Sequence, residues 1–544
     1  MDNIYINRIG DRLRTVSLRV LSTCMFSVSL TLAGCGDFLE EYSQDLSRVQ
    51  TADDLNELLM GDCTMPLGLF SNNNSYYQYE NTNYMVLHFM GDELQENLQI
   101  SSDPDRIGAR SMFYPYFTWQ QNCFVDYEGS SVLEADEETY WNLGYEKINN
   151  CNMVIDAGEQ MRCGDSGEDA LRLRVLGECY FLRATYYFVL ANLYGKPYSP
   201  ATADSQPCVP LKLSPSVDDV EFRRNTVGEV YAQILSDLDM AEDLLASSAT
   251  AGIYHAGITA VYIFRSRVHL FMQEWEEVRR YARLALDKND ALQDLRNFGT
   301  TAYPISASNP EVVYSNGASC LGNMLFQAPG KRGTSVDYMP VYCVSDHLKG
   351  LYEADDARLT TYLTTRADLY ARTCTYHKID CSTASYGKYK EVSDVFCLRT
   401  AEAYLNIAEA EARLGNDAVA CDWLDKLRQK RVVNAARIGE SGSRLVTFIR
   451  EERERELCLE GHRWFDLRRY QVDNVYPYSK IIEHTMTWYK SQGAVSVPSY
   501  TRFYRLEQND DAYTLNIPKS VRDFQNSIGS NPRPDRQPFA ETNY

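Results

Sequence analysis

The 544-residue chain is 44% hydrophobic and 24% charged, with 18 Pro and 30 Gly, which excludes a disordered, collagenous or small disulfide-framed protein and implies a large globular body. Lys and Arg number 54 against 75 Asp and Glu, and a net charge of −21 offers no basic surface, so nucleic acid is not expected as a partner. The 39 Tyr against 20 Phe and 6 Trp are a surplus of rings that suit wet surfaces as well as cores.

Residues 1–19 carry four Arg against two Asp and precede an uncharged 15-residue run from Val20 to Gly34, too short to span a bilayer. The run ends in Leu32-Ala33-Gly34-Cys35, which resembles a bacterial lipobox. It predicts cleavage of a signal peptide at 1–34 and lipidation of Cys35, followed by a tether over 35–50. Removing those 34 residues, which carry +2, leaves 510 residues at −23. No later stretch is apolar enough to cross a membrane, so the lipid is expected to hold the folded body at a membrane surface.

Of 15 cysteines, Cys24 leaves with the signal and Cys35 takes the lipid; the remaining 13 cannot all pair within one chain. Cys179, Cys421 and Cys458 lie on helical apolar patterns and read as small buried hydrophobes. No C-x-x-C or H-E-x-x-H spacing occurs, and neither a metal nor a cofactor is expected.

Helical periodicity then dominates. Thr226 and Glu229 form a capping-box pattern, followed by one apolar stripe from Val227 through Val230, Ile234, Leu238 and Ala241 to Leu245. A second stripe from Ala260 through Ile263, Phe264 and Leu270 pauses at Gln273-Glu274 and resumes over Trp275, Val278, Ala282 and Ala285, the pattern of two antiparallel helices. The same design recurs at Leu398–Ala412, stops at Gly415-Asn416, and continues to Leu427. Such pairs resemble tetratricopeptide repeats, each burying its face on a neighbour. Residues 71–127 and 301–345 lack a helical period, and 472–513 alternate as a β-hairpin would.

At this point the chain resembles the SusD/RagB family of outer-membrane lipoproteins. The run Ile449-Arg450-Glu451-Glu452-Arg453-Glu454-Arg455-Glu456-Leu457-Cys458-Leu459-Glu460-Gly461-His462-Arg463-Trp464-Phe465-Asp466-Leu467-Arg468-Arg469 is similar to that family's signature. So are Glu178–Ala184 leading to Leu193-Tyr194-Gly195, Arg399–Leu405 with Ala408-Glu409-Ala410, and Ile517-Pro518 with Asn526 and Asn531-Pro532. Departures at Cys179, Cys458 and Arg533-Pro534 touch packing and the tail. The resemblance implies a mainly α fold, with tetratricopeptide-like pairs as scaffold and long irregular loops with minor β-hairpins. A single domain over 51–544 is expected, with an N-terminal part at about 51–250 and a C-terminal part at about 300–544.

It further implies non-catalytic capture of a glycan, or of a peptide in some relatives, at the cell exterior, and delivery to a SusC-like TonB-dependent transporter. The signature run itself reads as a structural helix over Arg450–Arg469, and Arg183 as a member of a carboxylate network, not as ligand contacts. Candidate contacts are Tyr114, Tyr116, Trp119, Gln121 and Asn122, with a second set at Asn323, Phe326, Asp337, Tyr338 and Tyr342, because rings stack on sugar faces while amides and carboxylates fix hydroxyls. A glycoside hydrolase would need two carboxylates facing a sugar bond. Asp92-Glu93 and Asp355-Asp356 are the adjacent pairs that could be pressed into that role, and a surface scaffold that binds only protein is the other alternative.

Overall fold

The computed structural model describes residues 49–64, 86–98, 113–123, 125, 127, 140–216, 221–299, 302–316, 321, 342–365, 374–379, 392–395, 397–493 and 495–544. The described chain opens with α1 (Ala52–Leu58), whose Thr51 and Asp54 form a reciprocal capping box, and runs into a π-helical turn over Leu59–Cys63. After α2 (Val86–Met90) and strand β1 (Leu94–Glu96) come two long helices, α3 (Tyr140–Gln160) and α4 (Ser166–Tyr194). Every residue of α4 from Val175 to Tyr194 is buried, so its C-terminal half is enclosed on all faces. The packing of α3 against α4 is close enough that a methyl group at Gly158 would meet Leu176 at 2.8 Å and Leu55 of α1 at 3.3 Å.

The expected capping box is present on α5 (Val227–Leu245): Thr226 Oγ1 accepts from the Glu229 N–H at 3.1 Å, and Glu229 Oε2 accepts from the Thr226 N–H at 2.8 Å. The helix pair α6 (Ile258–Met272) and α7 (Trp275–Lys288) turns at Gln273 and Glu274, with Gln273 in the left-handed conformation at φ 63°. Strand β2 (Val312–Tyr314) leads through β3 (Tyr342–Val344), β4 (Leu363–Thr365), β5 (Cys374–Tyr376) and β6 (Leu398–Arg399) to the second pair, α8 (Thr400–Arg413) and α9 (Asp417–Arg428). Both pairs match the tetratricopeptide-like expectation, and α8 packs against α6, α7 and α9.

The signature run departs from the single helix expected over Arg450–Arg469. It forms α10 (Gly442–Leu457) and α11 (Arg463–Gln471), separated by a turn in which Leu459 and Gly461 both take positive φ, 57° and 76°. An i→i+4 ladder cannot continue through left-handed residues, so the acidic face of α10 and the basic face of α11 are re-aimed independently. The hairpin falls inside its expected range, as β7 (Ile482–Gln492) and β8 (Val495–Leu506), with a third antiparallel strand β9 (Ala540–Asn543) added from the C-terminus. Among the described residues the remaining sheets are two-stranded: β1 pairs with β3, β2 with β6 and β4 with β5. The fold is mainly α, as expected.

The turn between α10 and α11 closes a core of buried charge. Glu456 lies at 0% exposure and takes five hydrogen bonds, from Arg358, Arg399, Tyr362 and two from Arg431, at 2.9–3.1 Å. Arg399 also reaches Glu460 at 2.7 Å and Glu311 at 2.9 Å, and Lys378 pairs with Glu460. Burial raises the Glu456 carboxyl, and the guanidinium groups of Arg431, Arg399 and Arg358 overcome this and hold it well below the usual range. The motif most conspicuous in the sequence is therefore interior scaffold. Arg183 likewise pairs with Asp237 at 2.6 Å inside the α4–α5 contact, and Cys179, Cys421 and Cys458 are buried at 0%, 5% and 1%.

Candidate ligand-binding surface

The aromatic run that looked irregular in sequence begins with a short helical turn at residues 113–117. Helical spacing turns Phe113, Tyr114 and Phe117 inward together. The Tyr114 hydroxyl shares a 2.9 Å hydrogen bond with that of Tyr504 on β8, and its ring stands edge-on to Tyr127 and Trp488. Trp119 is completely buried at φ 52°; it stacks on His484 at 4.5 Å and donates its indole N–H to the Met90 carbonyl at 2.9 Å. Tyr342, in β3, meets Phe89 and Phe117 edge-on at 4.9 and 4.8 Å and is 1% exposed.

These placements correct three of the expected contacts. Tyr114, Trp119 and Tyr342 have no ring face open to a ligand, because the segments that carry them are folded onto the hairpin and onto α2. Tyr116 is half-buried against Tyr140, and only Gln121 and Asn122 of the first set are exposed. Gln121 donates its amide to the Arg533 carbonyl at 2.7 Å, which ties the run to the C-terminal segment. Asn323, Phe326, Asp337 and Tyr338 lie outside the described residues.

The hairpin brings two further rings, Trp488 and Tyr500, against Tyr127. Tyr127, Trp488 and Tyr500 form a ladder, with Trp488 stacked on Tyr127 at 4.6 Å and on Tyr500 at 5.1 Å. The Arg502 guanidinium lies 4.9 Å from the Trp488 ring centroid and 5.0 Å from that of Tyr500. Burial falls along the ladder: Tyr127 and Trp488 are inside, Tyr500 is half-buried, and Tyr544, beside Thr501, is 64% exposed. Strand alternation of Tyr500 and Arg502 was the signal that could have found this surface.

The carboxylate pairs considered for hydrolysis are committed elsewhere. Asp92 pairs with Arg463 at 2.7 Å and Lys480 at 2.6 Å; burial raises its carboxyl, but Arg463, Lys480 and His347 together hold it well below the usual range. Glu93 is 1% exposed, accepts the Leu459 N–H at 2.8 Å, and is pushed up by burial to about 8. Asp356 is buried on Arg358 at 2.7 Å. None of these three carboxylates faces solvent.

Among the described residues, the side chains of Asp92, His347 and Glu454 are the one group whose donor atoms converge as metal ligands would. Arg463 bridges Asp92 and Glu454 at 2.7 and 2.9 Å, and Lys480 adds a further cation, so the two carboxylates are already neutralised and the set does not suit a metal ion. A separate cleft of about 830 Å³ lies between α7 and α9, lined by Arg283, Asp287, Asp422, Trp423, Lys426 and Arg437. There the Lys426 ammonium sits 3.7 Å from the centroid of the half-buried Trp423 ring.

Helix pairs that enclose buried charge, a three-stranded sheet bearing a graded ring ladder, and carboxylates locked in ion pairs define a mainly α-helical scaffold. Comparison with known proteins agrees. Residues 73–270 match the family described as "Starch-binding associating with outer membrane", and residues 361–533 match the SusD family. A SusD-like protein of Formosa agariphila is 23% identical over 65% of this chain and 76% of its own, and one of Bacteroides ovatus is 24% identical over 66% and 69%. A SusD-like carbohydrate binding protein from Bacteroides vulgatus superposes with a TM-score of 0.64 at 21% identity, covering 88% of this chain and 98% of its own. A SusD superfamily protein from Bacteroides thetaiotaomicron gives 0.64 at 20% identity, over 89% and 100%. The chain belongs to the SusD/RagB family, a family of non-catalytic binding proteins.

Proposed function

We propose that this protein is a lipid-anchored, outward-facing glycan-binding protein of the outer membrane that hands its ligand to a SusC-like TonB-dependent transporter. The observation that carries the reading is the match of residues 73–270, the part that holds the aromatic run, to a starch-binding, outer-membrane-associated family. Lipidation at Cys35 would provide the attachment, and among the described residues no helix is long and apolar enough to cross a membrane. Ligand contact is assigned to Tyr116, Gln121, Asn122, Asn323, Phe326, Asp337 and Tyr338, together with Tyr500 and Tyr544 of the hairpin sheet. Tyr114, Trp119 and Tyr342 are buried and are not among these contacts.

The test is retention of the purified protein on a panel of immobilised polysaccharides and peptides, with reducing-end release followed in parallel. Retention on a glycan without cleavage supports the reading. The double variant Phe326→Ala/Tyr338→Ala should then lose retention about tenfold while its melting temperature stays within 2 °C, since stacking on one ring contributes about 0.5–1.5 kcal/mol. Retention on peptides alone would move the protein to peptide capture. Binding to neither, with stable co-purification of a transporter, would make it a protein scaffold.

A further inference from the structure

The cleft between α7 and α9 is walled by one face of each helix and by residues 435–437, and none of its lining residues belongs to the ligand surface assigned above. Arg283 and Asp287 line it from α7, and Asp422, Trp423 and Lys426 from α9, at the three- and four-residue spacing that puts side chains on one helical face. Its volume of about 830 Å³ falls within the range of about 300–1,000 Å³ typical of small-ligand sites. One ring stands in it. Trp423 is half-buried, meets Tyr404 of α8 edge-on at 5.6 Å, and carries the Lys426 ammonium over its face at 3.7 Å. The charges around the ring are balanced: Arg283, Lys426 and Arg437 are matched by Asp287, Asp422 and Asp425. Arg437, 79% exposed, pairs with Asp422 at 3.0 Å, and Arg283 turns to Glu411 at 2.7 Å. Among the described residues, the side chains of Asp287, Lys426 and Gln429 make no hydrogen bond or ion pair, and all three are exposed.

We propose that this cleft is a second binding site, on the helical scaffold itself, for a neutral oligosaccharide. Each sugar hydroxyl both donates and accepts, and the groups free beside Trp423 offer both roles: a carboxylate at Asp287, an ammonium at Lys426 and an amide at Gln429. The C–H face of a sugar stacks on the Trp423 ring when Lys426, which an exposed ring holds only weakly, swings off that face to a hydroxyl. The balanced charge selects a neutral chain, because a carboxylated or sulfated sugar would meet Asp287 and Asp422 as well as the cations. A peptide would need an apolar pocket for an anchoring side chain. Leu286 is only 7% exposed, and the other apolar wall groups besides Trp423 are Val419 and two alanines.

A second site changes how a polymer is held. Where one polysaccharide spans both sites, engagement of the second is intramolecular, and the hold exceeds that of either site alone. The choice of a glycan as occupant rests on the glycan-capture reading above, but the two sites share no residue, so either can fail without the other.

The experiment is isothermal titration calorimetry of the full chain with maltoheptaose, cellohexaose, xylohexaose and mannohexaose, and with a tryptic digest of casein. The wild type is compared with Trp423→Ala, with Asp287→Ala/Lys426→Ala and with Phe326→Ala/Tyr338→Ala. At least one sugar should bind the wild type in two events, one of which weakens about tenfold in both cleft variants and persists in Phe326→Ala/Tyr338→Ala. Sugar binding that neither cleft variant moves would overturn the proposal, as would no binding of any of the four sugars. If Phe326→Ala/Tyr338→Ala alone removes all binding, the cleft fails and the first surface stands; if the cleft variants alone remove it, the cleft stands and the first surface fails. Casein peptides that bind without any sugar, and are lost in the cleft variants, would make this a peptide site and overturn the proposal. Asp287 and Lys426 are exposed, so their double variant decides the matter should Trp423→Ala fail to fold.

Discussion

Replacing Glu456 by Gln isolates the contribution of the charged core. The carboxylate takes three hydrogen bonds on Oε1, from Arg399, Arg431 and Tyr362, and two on Oε2, from Arg431 and Arg358. Glutamine keeps the shape and one acceptor, but it presents an amide NH₂ to the two guanidinium donors on the other side. Two lost charge-assisted hydrogen bonds amount to about 3–6 kcal/mol, in line with the roughly 3–5 kcal/mol expected when one partner of a buried ion pair is removed. Unfolding entropy of about 2.1 cal/mol/K per residue, over roughly 500 residues, gives about 1 kcal/mol per degree, so the melting temperature should fall by about 3–5 °C. The assay is thermal unfolding followed by circular dichroism, with Glu451→Gln as control. Glu451 is 46% exposed and 3.9 Å from Arg455, and its loss should stay within about 0.5 kcal/mol. A Glu456→Gln protein that melts within 1 °C of the parent would refute the view that this network holds the C-terminal half together.

Glu93 sets a pH dependence of a particular sign. Its carboxyl titrates near 4.5 when unfolded and at about 8 when buried, so between those values the folded state holds a proton the unfolded state has released. Stability should therefore decline as pH rises through that window, by up to about 1.4 kcal/mol per unit, and level off above it. Urea titrations of Glu93→Gln at pH 5 to 8 should lose this slope. His484, buried and held down to about 4 by loss of hydration, acts on the acid side: stability should fall as pH drops below about 6.5, and His484→Gln should flatten that limb in the same titrations. Trp119→Ala empties a fully buried site and should destabilise the fold by about 3–5 kcal/mol, seen as a lower urea midpoint. A Trp119→Ala protein with unchanged stability and lost glycan retention would return that ring to the ligand surface.

Much of the scaffold was legible because its signals are local. The Thr226/Glu229 capping box, the stripes of α5 to α9 and the alternation over the hairpin each follow from the 3.6- or 2-residue period of a backbone that buries one face. The break at Leu459 and Gly461 was hidden because a continuous helix and two re-aimed helices share one charge pattern, and what selects between them is where Glu456 and Glu460 find their arginines. The aromatic run failed for a related reason. Composition marks Tyr114 and Trp119 as rings suited to a wet surface or to a core, and only the placement of Tyr504, His484 and the Met90 carbonyl, hundreds of positions away or on another element, decides that they are core.

By itself the sequence determined the family, the helix pairs and the acidic balance, all properties of residues close together in the chain. The tertiary structure decided which charges are buried and therefore must be paired, and which rings keep an open face. Those depend on contacts between segments far apart in sequence, and burial, which multiplies the strength of an ion pair and removes a ring from solvent, is a property of the assembled fold.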